Sequence, residues 1–209
     1  HLTHSVVLVD SLEEAEMVKL VNNTYRDVVF SFANELSLVC HKLGINARRV
    51  IEAANRGYNR GQVPMPGPGV GGVCLEKDPF IFIESVKKKG YQPLLARDSR
   101  QISESMISFM AREILKFLKN KKMSKVLIIG LAFKGRPVTS DIRGSTAINL
   151  IGKIKNKVGL IYGYDPAVDL HDIKKSGAVP IKKLEEGFRK ADAVVIMNNN
   201  PDFEKIDMK

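Results

Sequence analysis

KVLIIGL, at residues 125–131, is the stretch that decides the fold, because it is an almost continuous apolar run. Such runs are typical of strands that are buried on both faces of a parallel sheet. Two more buried strands are predicted after it, at Val158–Tyr164 and Ala193–Met197, and helices separate the three strands. This alternation predicts a Rossmann-like, doubly wound, three-layer α/β domain that covers residues 123–209. Its predicted helices span Ser145–Lys157, Leu170–Lys175 and Leu184–Lys190.

Residues 1–122, by contrast, carry mainly helical patterns. Ser11 precedes three glutamates, as at a helix N-terminus, and apolar residues recur at helical spacing until Gly44. Asp78 and Pro79 are interpreted as an N-cap and a first helical residue, and the apolar run Val6–Val9 as the tail of a strand. The further predicted helices span Ala47–Arg56, Asp78–Lys89 and Pro93–Lys121. We therefore predict an α plus α/β protein with a helical first domain.

Composition excludes several function classes. The 209 residues carry a net charge of +10 and two cysteines. Two cysteines do not make a disulfide framework, so a reducing cytoplasm is expected. The basic residues are spread over helix faces without an aromatic strand pattern, which disfavours nucleic-acid binding. No apolar run is long enough to span a membrane, no signal peptide is recognised, and no metal site is assigned.

The glycine-rich loop PGPGVGGVC (66–74) is the first candidate for chemistry. Gly69, Gly71 and Gly72 allow backbone to approach a ligand closely and leave N–H groups free for an anion. A thiol at Cys74, beside such a loop and a helix N-terminus, has its thiolate stabilised, as a nucleophile requires. The alternative is a turn with an incidental cysteine.

The first long helix carries a polar stripe. Lys19, Asn23 and Arg26 are spaced four and three residues apart and so share one side of the helix. Such a lysine, placed next to a cysteine, can activate it or stabilise an oxyanion. The alternative is a buried salt bridge or a wet helix edge.

LAFKGRPVTSDIRGS (131–145) follows the deciding strand, at the end where α/β sheets bind ligands. It is not the dinucleotide fingerprint G-x-G-x-x-G. Lys134 and Arg143 are candidates for holding phosphates or a carboxylate. Asp165, at the end of the next strand, either meets a ribose hydroxyl or belongs to a turn.

Three motifs in this order resemble the UDP-glucose/GDP-mannose dehydrogenase family, and most closely its UDP-N-acetyl-mannosamine and UDP-N-acetyl-glucosamine 6-dehydrogenases. They are EAEMVKLVNNTYRD (14–27) with FANE (32–35), PGPGVGGVCLEKDP (66–79) and LAFKGRPVTSDIRGS (131–145). The resemblance covers essentially the whole chain. Val73 and Gly144 depart from it, since His and Glu are common there in the N-acetyl-sugar branch.

The resemblance implies oxidation of a sugar C6 alcohol to a carboxylate with two NAD, through a cysteine thiohemiacetal and thioester. Cys74 matches the nucleophile, Lys19 and Asn23 the oxyanion-stabilising pair, and Asp78 the acid that helps to handle water. Gly69, Gly71 and Gly72 would wrap the sugar, and Lys134 would contact the substrate. Arg60 would reach the substrate of the neighbouring subunit, and Arg143 the cofactor.

The resemblance also implies a homodimer formed through the helical domain, which fits long helices with apolar faces that need cover. The family's N-terminal NAD-binding domain is missing from the sequence, so this polypeptide alone is expected not to turn over NAD. The alternatives are a non-catalytic, dimerising UDP-sugar-binding module and a UDP-glucose 6-dehydrogenase. A β-hydroxyacid-type dehydrogenase would explain neither the glycine-cysteine loop nor the α/β half.

Overall fold

Four helices form the first half of the computed structural model, which describes residues 6–206. They are α1 (Leu12–Leu43), α2 (Ala47–Asn55), α3 (Val73–Lys87) and α4 (Leu94–Phe117). The Glu14 amide donates to Ser11 Oγ over 3.1 Å at the start of α1, and Gly44, with a φ of 69°, ends that helix. Both ends of α1 therefore lie where the sequence predicted them. Helices α1, α3 and α4 pack against one another.

Helix α3 corrects one prediction. It begins at Val73, so Asp78 and Pro79 lie inside the helix and not at its N-terminus. Gly72 is the N-cap residue, with a φ of 95°, and its amide donates to the carbonyl of Gly144 over 2.9 Å. This long-range hydrogen bond fixes the helix start, and the local Asp-Pro signal gives no hint of it.

The predicted strand at Val6–Val9 is also wrong. These four residues are in no regular element, and the side chains of Val6, Val7 and Leu8 are largely exposed. A strand needs a partner for its backbone hydrogen bonds, and no other strand in residues 6–206 pairs with this segment.

The second half of the chain forms a parallel sheet, as predicted. Its strands are β1 (Lys125–Ile129), β2 (Leu160–Tyr164), β3 (Val179–Pro180) and β4 (Ala193–Ile196), in the order β3-β2-β1-β4. The short strand β3 was not predicted. The connecting helices are α5 (Thr146–Ile154), α6 (Leu170–Lys175) and α7 (Leu184–Lys190), and a 3₁₀ turn covers Pro201–Lys205.

Both faces of the sheet are covered, which explains why KVLIIGL is apolar without alternation. Val126 and Ile128 pack with side chains of α4, α5 and α6 on one face. Leu127 and Ile129 pack on the other face, in a cluster that includes Phe203 of the 3₁₀ turn. All four side chains are fully buried. Helices and a parallel sheet thus form three layers.

The strand order positions a crevice. The chain passes from β1 to β2 and β3 in one direction, and then returns to place β4 on the opposite side of β1. In open α/β sheets, ligands bind at the carboxyl ends of strands where the order reverses in this way. The loops after β1 and β4 are therefore the expected walls of a site.

Helix α1 has an unusual distribution of side chains. Its buried residues are mostly polar, and they include Asp27, Ser31 and Asn34, whereas Phe32 and Leu43 are more than half exposed. The polar residues contact other parts of the same chain, and the exposed apolar residues leave a face without cover. No helix within residues 6–206 is long and apolar enough to cross a membrane.

Candidate active site

Asp78 is the point where α1 and α3 meet. Its carboxylate is almost fully buried and accepts a hydrogen bond of 2.6 Å from Asn23 Nδ2. Lys19 Nζ lies 3.6 Å from the same carboxylate oxygen, and the lysine side chain is 61% exposed. The structure therefore brings together three of the four predicted catalytic residues. The alternative interpretation of Asp78 as an N-cap is wrong.

Cys74 lies beside this group. It is a free, exposed thiol in the first turn of α3, one turn before Asp78, so the two residues share a side of the helix. The N-terminus of α3 has no side-chain cap, which leaves first-turn N–H groups for an anion. Cys74 and Asn23 line the same cavity of about 330 Å³. The thiol and the Asn23 amide therefore line one cavity, and the Lys19 ammonium is linked to them through Asp78.

A second cavity, of about 310 Å³, adjoins the first. Five residues line both cavities, which makes the two cavities parts of one groove, called the cleft below. The shared residues are Arg26, Gly71, Leu75, Phe133 and Lys134. The cleft therefore runs from the Cys74 thiol along the glycine loop to the loop that follows β1.

The glycines of the loop 66–74 are required by close packing within the protein. A Cβ at Gly69 would lie 2.9 Å from the Ser103 carbonyl oxygen, and one at Gly71 would lie 2.5 Å from that of Gly144. A Cβ at Gly72 would lie 2.8 Å from the Phe133 ring. The loop is thus packed tightly between α4 and the sheet loops, and its other side lines the cleft.

The predicted basic residues have different positions. Lys134 lines both cavities, with its Nζ 5.1 Å from the centre of the Phe133 ring. Arg143 lies at the edge of the cleft and makes hydrogen bonds of 2.7–3.2 Å to Asp141, which lower the pKa of Asp141 to about 2. Arg60 is exposed in the segment after α2 and lines neither cavity.

The cleft also contains polar residues that had no role assigned from the sequence, and Arg26 and Asn199 are two of them. Arg26 lines both cavities and makes no ion pair among residues 6–206; its position on the Lys19–Asn23 stripe was the available signal. Asn199 lines the second cavity, and its Oδ1 accepts from the Gly135 amide over 3.2 Å. Three asparagines, Asn198–Asn200, directly follow β4. Because β4 lies beside β1 in the sheet, this run was the signal that an asparagine would meet the loop after β1.

Asp165 belongs to a turn, which was one of the two interpretations. Its Oδ2 accepts from the amides of Leu131 and Ala132 over 2.8 and 3.0 Å, and its Oδ1 from that of Ala167 over 2.9 Å. The Asp165 side chain is buried, and both of its carboxylate oxygens accept hydrogen bonds from backbone amides. It therefore holds the loop after β1 in place and is not available to a ribose hydroxyl.

Sequence comparison bears on this arrangement directly. The central domain of the UDP-glucose/GDP-mannose dehydrogenase family matches residues 13–105, and the UDP binding domain of that family matches residues 127–209. The chain belongs to this family. Each match contains site residues described above: Lys19, Cys74 and Asp78 lie in the first, and Lys134 and Arg143 in the second.

Several relatives match nearly the whole chain. UDP-N-acetyl-D-mannosamine dehydrogenase of Pyrococcus horikoshii is 39% identical over 92% of the chain and 44% of its own length. A solved structure of UDP-D-ManNAc dehydrogenase from the same organism superposes with a TM-score of 0.81 at 35% identity, and covers 93% of the chain and 44% of its own. A UDP-glucose dehydrogenase of Pyrobaculum islandicum gives 0.84 at 25% identity, covering 97% and 47%. The chain thus spans about half the length of these relatives.

Proposed function

We propose that this chain carries the nucleophile and the nucleotide-sugar site of an NAD-dependent enzyme that oxidises C6 of a UDP-N-acetylhexosamine from alcohol to carboxylate. One observation carries the proposal: the exposed Cys74 thiol shares a cavity with Asn23, which is hydrogen-bonded to Asp78 next to Lys19. A nucleophile and an amide in one cavity, with a carboxylate and a cation in contact behind the amide, suit acyl chemistry at an aldehyde.

The thiolate of Cys74 attacks the C6 aldehyde, so an S–C bond forms and an electron pair moves to the carbonyl oxygen. The Lys19 ammonium and the Asn23 amide stabilise that oxyanion, and its protonation gives a thiohemiacetal. Asp78 holds both groups in position, because it contacts each of them directly. A soft sulfur nucleophile and a nearby cation are both needed for this step.

When bound, NAD supplies the hydride acceptor for the alcohol oxidation and for conversion of the hemiacetal to a thioester. Water then attacks the thioester carbon, the C–S bond breaks, and the electron pair returns to the Cys74 sulfur. Asp78 helps to take the proton from that water. Arg143 would contact the cofactor, because it is exposed at the cleft edge and its Nη1 is not used by Asp141.

The substrate contacts follow from the cleft. Arg26 and Lys134 place two cations along the groove, where a pyrophosphate would be neutralised. Gly69, Gly71 and Gly72 line it with backbone that would wrap the sugar. The similarity to UDP-N-acetyl-D-mannosamine dehydrogenases supports an N-acetylated sugar. The similarity to the UDP-glucose dehydrogenase keeps UDP-glucose as a second candidate substrate.

We also propose that residues 1–122 form a dimerisation domain and residues 123–209 a Rossmann-like UDP-sugar domain of a cytoplasmic homodimer. An apolar groove of about 720 Å³ supports the dimer, since Tyr25, Tyr91 and Leu95 at this face are 67%, 67% and 76% exposed. A second copy would cover this face. In such a dimer, Arg60 would contact the substrate of the partner copy.

The test is protection of Cys74 from iodoacetamide, measured by mass spectrometry of the modified peptide. UDP-N-acetylmannosamine, UDP-N-acetylglucosamine and UDP-glucose are compared at equal concentrations, and the buried Cys40 is the internal reference. Fast modification that a UDP-N-acetylhexosamine slows supports the proposal. Best protection by UDP-glucose would favour the second candidate substrate. Binding of a UDP-sugar to a chain with an unreactive Cys74 would instead indicate a non-catalytic binding module.

A further inference from the structure

Helix α3 has a gap in its backbone hydrogen bonds close to the nucleophile. Pro79 lies inside the helix and has no N–H, so the Leu75 carbonyl, four residues earlier, lacks its usual helical donor. Leu75 directly follows Cys74, and Asp78 directly precedes Pro79. The gap therefore lies between the nucleophile and the carboxylate of the proposed site.

A side chain from another helix fills the gap. Nη1 of Arg100, on α4, donates to the Leu75 carbonyl over 3.1 Å and to Asp27 Oδ1, on α1, over 2.7 Å. Arg100 is 5% exposed and Asp27 is fully buried. One guanidinium nitrogen thus ties the first turn of α3 to both of the long helices that pack against it.

Three acidic residues, Asp27, Glu76 and Glu104, surround Arg100. Burial raises the pKa of Asp27 to about 6, and burial also raises the pKa of Glu76; Arg100 opposes both shifts, whereas the charge of Glu104 adds to them. Asp27 Oδ2 and Arg100 Nε have no hydrogen-bond partner among residues 6–206. Buried pairs with such unmet groups are often no more stabilising than apolar side chains of the same size. Stability alone is therefore a poor explanation for this arrangement.

We propose that Arg100 is a positioning residue for Cys74: by holding the Leu75 carbonyl that Pro79 leaves free, it fixes the first turn of α3 and so places the sulfur in the cavity that it shares with Asn23. Asp27 orients the guanidinium for this contact. The inference rests on the proposed function, since it assigns a purpose to the placement of the thiol. Arg100 itself contacts neither cavity of the cleft.

The experiment compares Cys74 alkylation with stability in the 209-residue chain. Arg100→Met removes the donor but leaves Asp27 buried without its partner. The double variant Asp27→Leu/Arg100→Met removes both charges, and Arg100→Lys keeps a cation opposite Asp27 if the double variant fails to fold. Arg97→Met is the matched control, because Arg97 lies on the same helix, is exposed, and pairs with Asp98.

We expect the double variant to have a urea midpoint close to that of the wild type, but Cys74 alkylation roughly tenfold slower, because a loosened first turn no longer holds the sulfur and the first-turn N–H groups in one fixed geometry. Arg100→Lys should also be slow, and Arg97→Met should match the wild type in both measurements. The inference would be overturned if the double variant had both the stability and the Cys74 alkylation rate of the wild type. A wild-type alkylation rate in Arg100→Lys would overturn it as well. Failure of UDP-sugars to protect the wild-type thiol would count against the proposed function and not against this positioning role.

Discussion

Replacing Gly71 with alanine tests whether the glycine loop is packed as tightly as the structure has it. The added Cβ would lie 2.5 Å from the Gly144 carbonyl oxygen and 3.3 Å from Thr146 Cγ2. The φ of Gly71 is not positive, so the backbone itself accepts alanine and the clash decides the outcome. An ordinary contact needs about 3.4 Å, so the carbonyl must move by roughly 0.9 Å, which is overpacking of the kind that costs about 1–3 kcal/mol.

The displaced carbonyl is also the acceptor for the Gly72 amide, which caps α3. Gly71→Ala should therefore lower the free energy of unfolding by about 1–3 kcal/mol. In thermal unfolding each kcal/mol corresponds to roughly 2–4 °C for a chain of this size. The same substitution should slow Cys74 alkylation, because the cap precedes the thiol by two residues.

Gly67→Ala is the matched control, since it lies on the same loop with no positive φ and its nearest contact for a Cβ is 3.9 Å away. It should leave stability unchanged or raise it by about 0.4–1 kcal/mol through the unfolded chain. Urea unfolding followed by circular dichroism measures both variants. If Gly71→Ala is as stable as Gly67→Ala, the loop is not packed closely against Gly144 and the predicted clash is wrong.

Three further predictions concern the nucleophile, a buried acid and the exposed face. In the complete enzyme, Cys74→Ser should lower carboxylate formation by at least about 100-fold while aldehyde is still made; product analysis with wild-type carboxylate yield would contradict this. The pKa of Asp27 is raised from 3.8 to about 6 by burial. Between these two pH values the native state therefore keeps a proton on Asp27 that the unfolded state has already released. The free energy of unfolding should therefore fall as pH rises from about 4 to 6, and urea melts of Asp27→Asn should lack this component. Leu95→Glu should yield monomers by light scattering at micromolar concentration, whereas Met123→Glu, at an equally exposed site off this face, should leave dimers.

The elements that the sequence predicted well are those set by local chemistry. Ser11 and Gly44 bound α1 through a side-chain cap and a left-handed glycine, both of which involve only neighbouring residues. The run KVLIIGL identified a buried parallel strand because both faces of the sheet are covered. The spacing on α1 placed Lys19 and Asn23 on one side of that helix, whereas their grouping with Cys74 was implied by the family resemblance.

The errors arise where distant parts of the chain decide the local structure. The start of α3 depends on Gly144, more than seventy residues away, and its internal Pro79 is accommodated by Arg100 from α4. Val6–Val9 is apolar enough for a strand but has no partner in the described chain. The buried side of α1 is polar because Ser31 and Asn34 bond to α4 and to the glycine loop, which helical periodicity does not reveal.

Helix α4 limits how the cleft can open. Its first turns contribute Ser99 and Ser103 to the contact with α1, and its later turns contribute Ile107 and Ala111 to the interior beneath the sheet. A single rigid rod of 24 residues, about 36 Å long, therefore runs through both halves. A rotation of the helical half relative to the sheet would require α4 to bend or to lose its packing against one of the two. The parts of the cleft that can change without disturbing α4 are the side chains at its rim, such as Lys134 and Arg143.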